Sequence, residues 1–194
     1  MPGPGPPALS VDVDATRLVH GLAELRPRYE ASAGVRLSFT DLIVLAATLV
    51  ALEQPGQLAG PHLPEGPGLD IGLVVVGPDG TPGVITLEEA PARTLVQLAG
   101  EREDAGKREV DPEGTGAALL VSNRGPYGID HFVPGAGPST APILGASRVR
   151  PNPTGGSSLW VSPSVDARLW CMVIAAGAVG RLGQLLERPT LLAA

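Results

Sequence analysis

Cysteine and lysine are almost absent from this chain: Cys171 is its single cysteine and Lys107 its single lysine. One cysteine cannot form an intrachain disulfide or a multi-cysteine zinc site, and it is typical of a protein in a reducing compartment. Aromatic residues make up only 3% of the sequence. No segment reaches the roughly 18 uninterrupted apolar residues of a membrane span, and the start lacks the charged and apolar regions of a signal peptide. We therefore expect a cytoplasmic protein that does not bind membranes.

Positive charge is also scarce, because 14 basic residues stand against 20 acidic ones and give a formal net charge of -6. Phosphate recognition needs clustered lysine or arginine, so the missing basic stripe excludes nucleic acid as a partner. The glycine-rich runs at 114–116 and 135–137 match no phosphate-binding fingerprint. We expect neither a metal nor another cofactor.

What the chain does contain is enough apolar sequence for one ordinary domain, with 43% hydrophobic residues over 194 positions. Residues 1–7 form a proline and glycine tail that we expect to be disordered, and residues 8–192 form a single domain. Strand patterns cover about 9–14, 71–76, 83–85, 117–122, 143–149 and 161–166; helical patterns cover about 16–32, 42–50, 94–107 and 170–186. Strands and hairpins intermixed with helices predict an α/β two-layer sandwich with a mixed sheet.

The stretch from Val161 to Met172 is the first place to look for a site. Alternation in its strand sends Ser162, Ser164 and Asp166 to one face, and the apolar run 173–179 of the following helix is expected to cover the other. Polar side chains gathered at a strand-to-helix junction are typical of a functional site.

Five motifs, in order along about residues 9–192, resemble those of the dihydrolipoyl acyltransferase catalytic domain of 2-oxoacid dehydrogenases. They are T-D-L-I at 40–43, D-I-G at 70–72 with P-D-G at 78–80 and G-V-I at 83–85, V-S-N-R-G at 121–125, A-P-I-L-G at 141–145, and S-V-D-A-R at 164–168. The last resembles the family's active-site pattern S-x-D-H-R-x-x-D-G. The resemblance implies the fold of chloramphenicol acetyltransferase and a homotrimer whose active sites lie between subunits.

The resemblance also identifies what this chain has lost. The family's histidine is the general base, and Ala167 occupies its position here. The family's aspartate, four residues further on, pairs with an arginine near the start of the domain. Cys171 stands in place of that aspartate, and the resemblance leads us to expect that the segment which would carry the arginine is absent. Ser122, which in the family hydrogen-bonds the oxyanion, is retained. The resemblance therefore predicts a domain that has lost acyl transfer.

Other residues leave alternatives open. Cys171 could be a nucleophile at a helix N-terminus, but a small buried cysteine without a paired histidine is the simpler interpretation. His131 could replace the missing base, whereas His20 and His62 are expected on the surface. The largest side chains near the lost pair either pack in the core or turn the channel into an apolar pocket. They are Tyr127, Trp160, Trp170 and Met172.

The fold resemblance and the missing residues together predict a cyclase that folds a flexible polyene or polyketide for an intramolecular cycloaddition, which needs no proton transfer. In its fold and in its missing residues the chain resembles the acyltransferase-like cyclases of nargenicin-type macrolide biosynthesis. We expect Ser122, with Ser164 or Asn123, to hydrogen-bond a substrate oxygen, and the four large side chains to line the pocket beside Ala167. Two other hypotheses are a non-catalytic scaffold subunit and a residual acyltransferase that uses CoA or carrier-protein thioesters.

Overall fold

A computed structural model of the chain describes residues 9–54, 68–105, 107, 109–112, 116–135, 141–164 and 172–192. Within these residues the helices are α1 (Thr16–Ala33), α2 (Phe39–Glu53), α3 (Leu95–Ala105) and α4 (Met172–Glu187). The strands are β1 (Val11–Asp14), β2 (Ile71–Val76), β3 (Pro82–Leu87), β4 (Leu119–Asn123), β5 (Ile143–Ala146), β6 (Arg150–Pro151) and β7 (Ser157–Ser164). The predicted elements are therefore present in the predicted order.

The strands form one seven-stranded sheet in the order β1-β7-β5-β4-β2-β3, with β6 paired to β7. The pairs β2 with β4 and β4 with β5 are parallel, and the remaining pairs are antiparallel. The predicted mixed sheet is thus confirmed. The Pro78-Asp79-Gly80 turn joins β2 and β3 as the predicted hairpin, with Gly80 at a positive φ of 82° that glycine adopts without strain.

The helices cover one face of this sheet, and the largest hydrophobic cluster lies between the two layers. Alternate strand residues such as Leu119, Val121 and Leu144 join helix residues in that cluster. Helix α2 is apolar on more than one side, and it is buried because α3 and α4 pack against it. The other, open face of the sheet carries a small apolar cluster of Val84, Ala117, Leu120 and Ile143 together with polar residues.

Helix α2 begins where a capping box fixes its first turn. Ser38 is the N-cap, and its backbone N–H and hydroxyl both donate to Oδ2 of Asp41, at 2.7 and 2.9 Å. Ser38, rather than the neighbouring Thr40, is therefore the residue that caps the helix. Because the box fixes the chain before the helix, it also fixes the rim of a cavity described below.

Two details of the prediction were wrong. Strand β7 begins at Ser157, four residues before Val161, because Ser158 pairs with β1 and β6 within a stretch that reads locally as a linker. The start of α4 does not cover the sheet: Val173 is 79% and Ile174 43% exposed, while Ala175, Ala178 and Val179 are buried. A helix turns only one side toward the sheet, so a continuous apolar run cannot all be buried there.

Candidate functional site on the open face of the sheet

A row of register partners runs across the open face of the sheet. Ser122 on β4 pairs with Gly145 on β5, and Gly145 pairs with Ser162 on β7. Since side chains alternate along a strand, Ser164 and Trp160 lie on the same face as Ser162. The structure thus brings the two predicted catalytic serines and one of the predicted aromatic residues to one surface. Ser122 is 2% exposed and Ser162 is fully buried, whereas Ser164 and Trp160 are half-buried.

A short segment of the loop after β4, residues 132–134, crosses directly over Gly145. A Cβ at Gly145 would lie 2.6 Å from Cδ of Pro134 and 3.0 Å from Cδ1 of Phe132, so only glycine permits this approach. We call residues 129–135 the crossing loop. It packs between Ser122 and Ser162, whose strands lie two apart in the sheet, and it therefore forms part of the surface around both hydroxyls.

His131 of the crossing loop joins a chain of hydroxyl groups on this face. Its Nε2 lies 3.1 Å from Oγ of Ser10, and that Oγ lies 2.7 Å from Oγ of Ser162. The His131 ring also meets the ring of Trp160 edge to face, with centroids 5.1 Å apart. The guanidinium of Arg150 lies 5.5 Å from the Trp160 centroid. Trp160 is therefore fixed between a histidine and an arginine rather than in the apolar core.

Asn123 and Tyr127 lie apart from this row, at and beyond the end of β4. The Asn123 side-chain amide donates to the Thr40 hydroxyl at 2.9 Å, and its Oδ1 accepts from the backbone N–H of Gly125 at 2.8 Å. Asn123 therefore ties β4 to the start of α2. Tyr127 ends the short 3-10 helix Gly125–Tyr127 and is 63% exposed, with the Arg124 guanidinium 5.9 Å from its ring centre.

Two cavities meet at Asn123. The larger, of about 470 Å³, lies beyond the carboxyl ends of β4 and β5, and we call it the strand-end cavity. Its lining comprises Arg26, Ser38, Phe39, Thr40, Ile43, Asn123, Gly125, Pro126, Gly128, Ser147, Arg148, Val149 and Leu159. The smaller, of about 290 Å³, is lined by Tyr127, Arg102 and β2 among others. Ser122, Ser164 and Trp160 line neither of these two cavities.

Four positions in the predicted active-site segment, three of them predicted to bind substrate, lie wholly or partly outside the described residues. Ala167 and Trp170 fall between β7 and α4, as does Cys171, and Met172 is described only as the first backbone residue of α4. In the described part of the chain, no group of three histidine, cysteine, aspartate or glutamate side chains is placed to hold a metal ion. None of the helices described combines the length and apolar character needed to cross a membrane.

Two carboxylates near the strand-end cavity are paired with arginines. Asp130 accepts from Nε and Nη2 of Arg148 at 2.7 and 3.2 Å, and these hydrogen bonds lower the pKa of Asp130 below its ordinary value. Asp41 is buried and accepts from Nε of Arg102 at 2.6 Å. Neither carboxylate is therefore available as an unpaired base.

Sequence reasoning missed several residues of these surfaces. Ser10, Arg26, Ser147 and Arg148 come from distant parts of the chain, and no local pattern predicts their convergence. The capping box was missed as well, although the S-x-x-D spacing of Ser38 and Asp41 before a helix is a local signal that could have found it.

The chain is similar over nearly its whole length to one protein family. The profile of the 2-oxoacid dehydrogenases acyltransferase (catalytic domain) family matches residues 6–194. No curated protein sequence matches the chain significantly.

Solved structures agree with that match. The cubic core of the pyruvate dehydrogenase multienzyme complex has a TM-score of 0.83 at 25% identity, over 97% of this chain and 84% of that one. Dihydrolipoamide acetyltransferase of Azotobacter vinelandii has a TM-score of 0.82 at 25% identity, over 98% and 85%. Chloramphenicol acetyltransferase has a TM-score of 0.53 at 14% identity, over 93% and 86%, which shows a shared fold alone. The predicted acyltransferase-like fold is thereby confirmed.

Proposed function

Since this chain belongs to the family of 2-oxoacid dehydrogenase acyltransferase catalytic domains, we propose that it has kept the fold, lost acyl transfer, and become a cyclase. The cyclase would bind a flexible polyene or polyketide in an apolar pocket and hold its reacting ends together for an intramolecular cycloaddition. Such a reaction needs orientation and one or two hydrogen bonds to a carbonyl, but no base.

The observation that carries this proposal is the residue at position 167. The study of the Azotobacter vinelandii enzyme concerns a serine, a histidine and an asparagine in its catalytic mechanism, the asparagine four residues after the histidine. From the resemblance of the S-V-D-A-R motif at 164–168 we infer that Ala167 takes the place of that histidine and Cys171 the place of that asparagine. An alanine cannot accept a proton, and a general base typically contributes about 10²- to 10⁴-fold. Acyl transfer by the family's route would lose that factor.

The surface around Ser122 supports a binding role for the remaining residues. Ser122 and Ser164 supply hydroxyls on the open face of the sheet, and Trp160 supplies an aromatic ring on the same face, across the crossing loop from Ser122. A buried hydroxyl next to aromatic and apolar surface can orient a carbonyl while excluding water. We include Trp170 and Met172 in the apolar wall on the resemblance alone, whereas Tyr127, 63% exposed beyond the end of β4, lies apart from this surface.

The proposal includes a homotrimer, with the pocket between neighbouring subunits. The similar solved structure described as a cubic core is an oligomeric assembly, which is consistent with this arrangement. No cofactor takes part in the reaction, and the partner is the small-molecule substrate.

The test compares two reactions of the purified protein. The first substrate is a synthetic triene thioester that carries a conjugated diene and an activated alkene on one chain. Cycloaddition produces an isomer of unchanged mass, which chromatography with mass spectrometry separates from the linear form. The second reaction offers acetyl-CoA and dihydrolipoamide, and S-acetyl-dihydrolipoamide is measured. We expect the isomer and no acetylated product.

Ser122→Ala is the informative variant. Loss of one hydrogen bond to a neutral carbonyl costs about 1 kcal/mol, so we expect cyclisation to slow by about 5- to 10-fold. Ser32→Ala is the matched control, because Ser32 lies exposed on α1 and its variant should retain the full rate. Formation of S-acetyl-dihydrolipoamide that Ser122→Ala abolishes would instead establish a residual acyltransferase. If neither product forms, the scaffold hypothesis gains and the cyclase is refuted for this substrate class.

A further inference from the structure

The strand-end cavity lies where open α/β sheets bind ligands. The parallel strands β4 and β5 end side by side at Asn123 and Ala146, and the cavity opens beyond these carboxyl ends against the first turn of α2. Its volume of about 470 Å³ lies within the range of small-molecule sites. The row of serines on the open face does not line it, so it is a second and separate site.

Arg26 gives this cavity an unpaired cationic group. Its Nε donates to the carbonyl oxygen of Leu37 at 2.9 Å, which fixes the orientation of the half-buried guanidinium. Among the described residues, neither of its two terminal nitrogens has a hydrogen-bond or ion-pair partner. A guanidinium presents five N–H donors in a fixed fork that matches a carboxylate or phosphate. Arg26 is therefore held ready for an anionic oxygen acceptor.

The charged side chains that line the described part of the cavity are positive, which favours binding of an anion. Its described lining contains two arginines and no acidic residue, in a chain whose formal net charge is -6. Arg148 is neutralised by its two hydrogen bonds to Asp130, which lies outside the lining. The charge of Arg26 is left without a partner among the residues that the structure describes, so the cavity is a local positive site on an acidic protein.

The rest of the lining is largely apolar. The apolar wall, which the cavity has in addition to Arg26, includes Phe39, Pro126, Val149 and Leu159. A fully hydrated inorganic ion would gain nothing from these side chains, whereas a hydrocarbon body would release the water that lies against them. We propose that the strand-end cavity binds a small amphipathic anion, with its carboxylate or phosphate head on Arg26 and its hydrocarbon body against this apolar wall. The site goes beyond the cyclase proposal and does not depend on it.

Octanoate and octanol are suitable probes, because they share a hydrocarbon chain and differ in the charge of the head group. Calorimetric titration of the full chain should give a dissociation constant for octanoate at least tenfold lower than for octanol. Octyl phosphate is the third probe, and whichever anion binds more tightly identifies the head group of the natural ligand. Equal affinity for octanol and octanoate, or no binding of any probe at millimolar concentration, would overturn the proposal.

Variants test the role of Arg26 in both directions. Arg26→Gln should weaken octanoate binding by about tenfold or more and leave octanol unchanged. Arg28→Gln is its matched control, since Arg28 is exposed on the same helix, and it should bind octanoate like the wild type. Asp130→Asn frees Arg148 at the rim and should tighten octanoate binding severalfold. Equal effects of Arg26→Gln and Arg28→Gln would refute the site.

A second weakening variant keeps the test valid if Arg26→Gln fails to fold through loss of its contact with Leu37. Pro126 is exposed at the rim, so Pro126→Glu adds a negative charge without disturbing the core. It should weaken octanoate binding by a larger factor than octanol binding, because both ligands lose the apolar contact with Pro126 and only octanoate is repelled by the added charge. Unchanged octanoate affinity in a folded Pro126→Glu protein would also contradict the proposal.

Discussion

Replacing Asp41 should destabilise the protein more than a surface charge would, because this carboxylate is 1% exposed and serves three donors. Oδ2 accepts from the Ser38 backbone and hydroxyl, and Oδ1 accepts from Nε of Arg102. Asp41→Ala removes a helix cap worth about 1 kcal/mol. It also breaks the short ion pair with Arg102, and breaking a fully buried pair costs about 3–5 kcal/mol.

The Arg102 side chain keeps 21% exposure, still donates from Nη2 to the Arg36 carbonyl, and remains 3.7 Å from Oε1 of Glu103, so its charge is only partly stranded. Loss of the pair should therefore cost about 2 kcal/mol, and with the cap the total for Asp41→Ala should be about 3 kcal/mol. For a domain of this size, about 3 kcal/mol corresponds to a fall in Tm of about 6–12 °C. Urea denaturation measures the same change as a lower midpoint with an unchanged slope.

A double-mutant cycle tests whether loss of the ion pair between Asp41 and Arg102 causes the loss of stability. Asp41→Ala with Arg102→Met should cost less than the sum of the two single changes, by about 1–3 kcal/mol, because the second change removes the stranded charge. Additive single and double values, or a cost for Asp41→Ala below about 1 kcal/mol, would refute this reasoning.

Two further predictions concern the crossing loop and the start of α1. Gly145→Ala places a methyl group 2.6 Å from Pro134 and 3.0 Å from Phe132, so we expect a loss of about 1–3 kcal/mol by urea denaturation; an unchanged stability would mean that the loop moves away freely. Hydrogen bonds from the Thr16 hydroxyl and backbone hold the pKa of Asp14 below its ordinary value. A lowered pKa contributes stability above about pH 4 that is lost as pH falls through the folded pKa. Between about pH 5 and pH 3, the Tm of Asp14→Asn should therefore fall less steeply with decreasing pH than the Tm of the wild type. Equal falls in Tm for the two proteins would contradict this.

Local patterns predicted most elements because their signals lie within a few residues. A run of β-branched residues predicts strand β2, and the Asp79-Gly80 pair predicts the turn that follows it. The helical spacing of Leu18 and Leu22 predicts α1. Val173 shows where such patterns fail, because an apolar run predicts burial but not which of its members faces the sheet.

The candidate sites depend on contacts between distant segments. Ser10 and Ser162 are 152 residues apart in the chain, and their hydroxyls meet only because β1 pairs with β7. Arg26 faces the ends of β4 and β5 because its Nε bonds to Leu37 on the far side of the α1–α2 turn. Neither contact leaves a pattern that a window along the chain could detect.

The motifs and their order in the chain were sufficient to predict the family and the mixed α/β fold, and to locate the alanine at position 167. Each of these is a property of residue identity and spacing. Only the tertiary structure shows which face of the sheet carries Ser122 and Trp160 and where the crossing loop lies. It also shows that Arg26 reaches a cavity, in which no described residue pairs with the terminal nitrogens of Arg26. Those features arise when strand pairing and helix packing bring together side chains whose separation in sequence is far longer than any local period.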